Sequence, residues 1–102
     1  MLDLGCGDGS ITILVDERVG ARRVYGVDLD DKALARASER GLSVFKADLS
    51  RDPIPLPDES VDLVLALEVI EHLVNPDHML REARRVLRSG GSLVISTPNL
   101  AS

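Results

Sequence analysis

Hydrophobic and polar positions alternate along the chain in two rhythms, short apolar runs and stretches at helical spacing. Met1 to Leu4 is an apolar run broken by Asp3, and it leads straight into Gly5-Cys6-Gly7-Asp8-Gly9. From about Ser10 the spacing predicts a helix with Ile11, Leu14 and Val15 on one face. Arg23 to Leu29 reads as a second strand. Asp30 or Asp31 then supplies an N-cap for a helix ending near Gly41. Leu42 to Ala47 reads as a third strand, followed by a loop from Ser50 to Ser60 that holds Pro53, Pro55 and Pro57. Val61 to Leu67 is apolar apart from Asp62, which predicts a fourth strand buried on both faces. Asn75-Pro76 places a capping residue before a first-turn proline. Met79, Leu80, Ala83, Val86 and Leu87 follow as a helical stripe, with Arg81, Arg84, Arg85 and Arg88 mostly off it as an exposed face suited to the helix C-terminal dipole. Gly90 and Gly91 are expected to stop that helix, and Leu93 to Ser96 to form a fifth strand.

Five strands alternating with four helical segments predict an α/β fold, and right-handed crossovers make the sheet parallel and covered on both faces. The pattern is that of a single domain over residues 1–102. Its first strand is already under way at Met1 and the sequence stops one loop after the fifth, so both ends are expected to be cut. Aromatic residues make up only 2% of the chain, so the core must come from Leu, Val, Ile and Ala. The net charge of −5 argues against duplex nucleic acid or an anionic membrane surface as the partner. A single Cys6 cannot form an internal disulfide, and neither a signal peptide nor a bilayer-spanning apolar run is visible. The cytoplasm is the expected compartment.

The chemistry lies in the glycine loop and the acids after it. A strand that turns sharply into a helix with its backbone against a ligand needs glycine. A Gly-x-Gly-x-Gly loop alone does not separate one nucleotide ligand from another. The dinucleotide fingerprint wants a third glycine where Ser10 stands, and Asp3 is not part of it. Asp28 closes the second strand at the carboxyl edge of the sheet, where an acid can take both ribose hydroxyls. It is expected to face solvent there, so that losing it should weaken binding and leave folding untouched. Asp48 ends the third strand on the same edge, where it can accept from an adenine amine while Leu49 packs on the ring.

Leu2 to Gly9, then Val27-Asp28, then Ala47-Asp48-Leu49 resemble the first three motifs of class I S-adenosylmethionine-dependent methyltransferases. Leu56 to Val64 and Leu87 to Pro98 resemble the segments of that family's fourth and fifth strands. The chain looks most like the branch containing ubiquinone- and menaquinone-biosynthesis enzymes. The resemblance implies a Rossmann-like three-layer sandwich with strand order 3-2-1-4-5, lacking the usual sixth and seventh strands. It also implies S-adenosylmethionine as cofactor, S-adenosylhomocysteine as product, and methyl transfer to the O, N or C of a small molecule. By that resemblance Gly5 and Gly7 face the methionine part of the cofactor, with Cys6 between them, and Asp3 orders the loop. Asp28 and Leu29 serve the ribose side, Asp48 and Leu49 the adenine, and Leu67 lines the site near the reactive methyl.

Glu68-Val69-Ile70-Glu71-His72 follows the fourth strand, with Glu68 and His72 four apart and so expected on one helical face. Glu71 or His72 could remove a proton from an acceptor. The cluster could instead bind a metal, as a similar run does in the methyltransferases that modify small-RNA ends, or could serve only as loop. The loop reading leads, and no metal is expected. His78 is expected to be solvated, and Cys6 to pack beneath the loop. Two rivals remain, a cofactor-binding module without catalysis and, more distantly, a nicotinamide oxidoreductase. In the order 3-2-1-4-5 the fifth strand lies at an edge, which predicts a homodimer or a covering partner there unless Thr97 to Ser102 fold back over it.

Overall fold

The first strand, Leu2–Leu4, lies at the centre of a parallel sheet, with a parallel neighbour on each side. The computed structural model describes residues 1–97. Its elements are β1 (Leu2–Leu4), α1 (Ser10–Val19), β2 (Tyr25–Asp28), α2 (Asp31–Glu39), β3 (Ser43–Lys46), β4 (Val61–Leu67), a 3₁₀ turn (Ile70–His72), α3 (Pro76–Val86) and β5 (Leu87–Ser96). The strand order is β3-β2-β1-β4-β5, and every pairing is parallel. The predicted Rossmann-like sheet is therefore present, with β1 at its centre. Leu2 faces Tyr25 on one side and Val64 on the other.

Apolar side chains pack on both faces. Leu2, Leu4, Val64 and Ala66 meet Met79, Ala83 and Val86 of α3 and Ile54 of the proline loop. Leu65 packs on the other face with Leu34 and Ala37 of α2 and with Ile13 and Val15 of α1. Alternation along β4 thus feeds two cores, as expected for a strand between helical layers. The sequence's helix caps hold. Asp30 accepts from Lys32 N at 3.0 Å, and Asn75 accepts from His78 N at 3.3 Å.

Several expectations need correction. Ile11 and Leu14 do not face the core: they are 55% and 58% exposed, while Thr12 between them is fully buried. The cause is Asp3, whose buried carboxylate draws the Thr12 hydroxyl to 2.6 Å and so fixes the rotation of α1. The fourth helical segment is only the 3₁₀ turn. The glycines do not stop α3. The helix ends at Val86, and β5 starts at the next residue because Leu87 already pairs with Val61. Glu59 N and Ser60 N donate to the carbonyls of Arg85 and Val86, taking up acceptors that a helix end leaves open. Gly90 and Gly91 fall within β5, where the register slips between Val61 and Leu63. A Cβ on Gly91 would come within 2.8 Å of the Asp62 carbonyl, so the irregular pairing requires glycine there.

Two residues expected in solvent anchor the proline loop instead. Arg85 donates to the carbonyls of Ile54 and Leu56 at 2.7 and 2.8 Å and pairs with Glu82 and Asp58. Glu82 in turn accepts from Ile54 N at 2.8 Å. His78 Nε2 lies 2.8 Å from the carbonyl of Asp52. A carbonyl can only accept, so that nitrogen carries the proton. Arg88 belongs to β5 rather than the helix and pairs with Asp62 at 2.8 Å. β5 is an edge strand whose Val94 and Ile95 are exposed. The fold-back expected of the C-terminal residues lies, from Pro98 on, outside the described residues.

Candidate functional site

The glycine loop sits where β1 ends, and its amides fasten it to β2. Gly5 N and Cys6 N both donate to the Val27 carbonyl, at 2.7 and 3.0 Å. Gly7 N donates to Asp28 Oδ2 at 2.8 Å. Gly5 has φ +77, and a Cβ there would lie 2.8 Å from Val69 Cγ2, so conformation and space both demand glycine. Cys6 packs beneath the loop as expected, against Gly26, where an added Cβ would lie 2.6 Å from its sulfur. Burial, reinforced by the negative charges of Asp3 and Asp28, pushes the Cys6 thiol up to about 12. Such a thiol is not a nucleophile at neutral pH.

Asp3 is 3% exposed. Its Oδ2 accepts from Thr12 Oγ1, while its Oδ1 is buried with no partner among the described residues. Burial raises its pKa to about 6 against the opposing effect of the Thr12 hydroxyl, with the charge of Asp28 adding to the rise. Sequence reasoning missed Thr12, whose only signal is a polar side chain at an inward helical position.

Asp28 differs from its expectation. Its Oδ1 accepts from Leu29 N at 2.7 Å and Asp30 N at 3.1 Å, and its Oδ2 from Gly7 N. It is a structural tie between β2 and the glycine loop rather than a free acid at a strand end. A carboxylate has about four acceptor positions. Oδ2 keeps one of them, and a second ligand hydroxyl would have to share Oδ1 or displace the longer bond from Asp30. Asp48 lies two residues beyond the end of β3, held by Ser50 N at 2.9 Å to its Oδ1 and by Asp52 Oδ2 accepting from its own N–H at 2.8 Å. Leu49 is buried in the core beside it.

These residues border a cleft of two lobes that meet at Gly5. One lobe, of about 350 Å³, is lined by Asp3, Gly5, Cys6, Ile11, Leu67, Glu68 and Ser96. The other, of about 180 Å³, is lined by Gly5, Asp28, Leu29, Ala47, Asp48, Leu49, Val69, His72 and Leu73. Every residue expected at the cofactor borders one lobe or the other except Gly7, which reaches the second through Asp28. The cleft follows the carboxyl ends of the strands, where open α/β sheets bind ligands.

The acidic run after β4 is divided between the lobes. Glu68 lines the first and His72 the second. They do not share a helical face, because Glu68 adopts φ +53 and the 3₁₀ turn begins only at Ile70. Glu71 and His72 are exposed, with His72 Nε2 3.6 Å from Glu71 Oε1. Neither borders the lobe that holds Leu67. Among the described residues, no group of three His, Cys, Asp or Glu is placed to hold a metal ion. No helix among them is long and apolar enough to cross a membrane.

Residues 2–95 match the family description of a methyltransferase domain. A Mycobacterium tuberculosis protein described as a probable S-adenosylmethionine-dependent methyltransferase is 43% identical over 101 residues, covering 97% of this chain and 35% of that protein. The trans-aconitate 2-methyltransferase of Rhizobium rhizogenes is 43% identical over 100 residues, covering 96% of this chain and 38% of the enzyme. An S-adenosylmethionine-dependent methyltransferase from Mesorhizobium loti has the same fold, with a TM-score of 0.82 at 34% identity over 94% of this chain and 45% of that structure. The chain thus spans well under two thirds of the length of each of these proteins. With its sheet order, its glycine loop and a family match over nearly its whole length, the chain belongs to the methyltransferase domain family.

Proposed function

We propose that residues 1–102 are the S-adenosylmethionine-binding core of a methyltransferase acting on the O, N or C of a small molecule. The observation that carries the reading is the pairing of a two-lobed cleft with a buried, unpartnered Asp3 oxygen on one lobe. An orphaned carboxylate oxygen fits a ligand ammonium, and the second lobe offers Asp28 and Asp48 to an adenosine. S-adenosylmethionine supplies a methyl group on a positively charged sulfur, open to attack by a nucleophile. The chain's own residues bind and orient. Asp28 takes the ribose, aligned by its three backbone amides. Asp48 accepts from the adenine amine, with Leu49 beside the ring. Gly5 and Gly7 let the backbone lie along the methionine part, Asp3 meets its ammonium, and Leu67 borders the reacting end. Rate enhancement comes chiefly from holding the partners in line. The acidic net charge and the trans-aconitate named for one relative support a small acceptor.

Calorimetry on the folded chain tests the reading. S-adenosylmethionine and S-adenosylhomocysteine should both bind more tightly than NAD. Tighter NAD binding, or no binding of either adenosyl ligand, overturns it. Methyl transfer to any acceptor would separate an enzyme from a binding module. Within the same reading, the exposed β5 edge pairs with a second copy of the chain, visible as a dimer in light scattering and lost in Val94→Lys. A cytoplasmic setting fits the free, buried Cys6.

A further inference from the structure

Two glutamates flank β4, and both have left-handed backbones, Glu59 with φ +50 and Glu68 with φ +53. A side chain in that conformation costs of order 1–3 kcal/mol and persists only where its surroundings enforce it. For Glu59 the enforcement is the turn into β4, where its N–H donates to the Arg85 carbonyl at 2.9 Å. For Glu68 it is the end of the sheet, where its N–H donates to the Ser96 carbonyl at 2.8 Å. The consequences differ. Glu59 borders neither lobe of the cleft, whereas the backbone of Glu68 sets its side chain on the wall of the larger lobe, beside Leu67 and Ser96. Its carboxylate makes no hydrogen bond or ion pair among the described residues, and no Lys, Arg or His among them lines that lobe. Asp3 lines the same lobe, only 3% exposed and with its Oδ1 unpartnered among the described residues. Among the described residues, the lobe therefore holds two carboxylates and no countercharge.

We propose that Glu68 makes this cleft discriminate by ligand charge, favouring the sulfonium of S-adenosylmethionine over the neutral sulfur of S-adenosylhomocysteine. The inference rests on the cofactor reading above. If the second lobe takes the adenosine, the sulfur and the amino-acid part fall to the lobe with the two acids. The ammonium is common to both ligands, so Asp3 serves both. The single positive charge that separates them is the sulfonium, and Glu68 is the accessible carboxylate at that end of β4. A low-dielectric wall strengthens such an attraction, while exposure of Glu68 to solvent limits it. About a three- to tenfold preference follows.

The test is calorimetry with both ligands on the unaltered chain, Glu68→Gln and Glu59→Gln, each checked for folding by its thermal midpoint. The unaltered chain and Glu59→Gln should bind S-adenosylmethionine about three- to tenfold more tightly than S-adenosylhomocysteine. Glu68→Gln should lose that preference by weakening S-adenosylmethionine alone. Added salt should narrow the preference in the unaltered chain. Should Glu68→Gln fail to fold, Glu68→Gly relieves the left-handed strain and should show the same loss. No preference in the unaltered chain, or the same ratio after Glu68 is replaced, overturns the proposal while the cofactor reading stands. Failure of both ligands to bind a folded sample overturns both.

Discussion

Asp28 accepts three backbone N–H groups, whereas Asp3, at the root of the same loop, accepts one hydroxyl and buries its other oxygen alone. Both are aspartates in the sheet's middle strands and both border the cleft. The difference comes from where each strand stops. Asp28 is the last residue of β2, so the chain turning away and the glycine loop crossing over it present amides to its carboxylate. Asp3 lies within β1, where every nearby amide belongs to the sheet ladder and only a side chain from α1 can reach it. Backbone amides satisfy a carboxylate's acceptor positions with charge-assisted bonds. A buried carboxylate with one donor is held poorly, and its missing partner is what a cationic ligand can supply. Among the described residues, one acid has donors on both oxygens, and the other has a donor on one oxygen alone.

The largest effect that would test this contrast is on stability at Asp3. Its folded pKa of about 6 lies above the ordinary 3.8. A raised folded pKa means that the protonated form favours folding. That contribution is fully present below about pH 4 and is lost as pH rises through about 6. The loss approaches about 3 kcal/mol at neutral pH. Asp3→Asn keeps an acceptor for Thr12 and removes the charge. It should therefore match the unaltered chain near pH 4 and exceed it by up to about 3 kcal/mol at pH 7. The same variant should bind S-adenosylmethionine more weakly. Urea unfolding across pH 4–8 measures the first effect and calorimetry the second. Equal stability of the two proteins at pH 7 would remove the basis of the contrast.

Asp28→Ala should lose on both counts, opposite to Asp3→Asn in stability and alike in binding. Hydrogen bonds to a charged group are worth about 1.5–3 kcal/mol, so cofactor affinity should fall roughly ten- to hundredfold. Stability should fall too, by about 1–2 kcal/mol, because the amides of Gly7, Leu29 and Asp30 lose their acceptor and can recover part of it from water. Denaturant unfolding of the apo chain separates the two losses. An unchanged midpoint with weakened binding would return Asp28 to the plain ligand acid that its position at a strand end suggests.

What the sequence made legible was whatever local chemistry decides. Asp30 and Asn75 cap their helices with their own side chains, the strands follow apolar runs, and the acids at the end of β2 and just past β3 land on the edge that topology assigns them. What it hid was decided by partners far along the chain. Ile11 and Leu14 look like a core stripe until Asp3 claims Thr12. Arg85 looks like a solvated helix charge until the loop at Ile54 and Leu56 brings two carbonyls to its guanidinium. Gly90 and Gly91 look like a helix stop, yet Val61 pulls Leu87 into the sheet four residues before Gly91. Glu68 shows its role only through a left-handed backbone, for which a glutamate gives no signal.

The smallest effect isolates the one bond that Asp3 does have. Thr12 is fully buried, and valine has nearly its shape, so Thr12→Val removes a hydroxyl without opening a cavity. At pH 4, with Asp3 protonated, the loss should be about 1 kcal/mol, the usual net worth of a neutral hydrogen bond. Near pH 7 it should be larger, because the ionised carboxylate then has no donor at all. The Thr12 hydroxyl holds the Asp3 pKa down against burial. Its removal should therefore move the Asp3 inflection of a carboxyl-carbon NMR titration upward from about 6. A downward or absent movement would mean that something other than Thr12 stabilises the ionised form. Asp3 would then be a satisfied structural acid like Asp28, and the contrast between them would close.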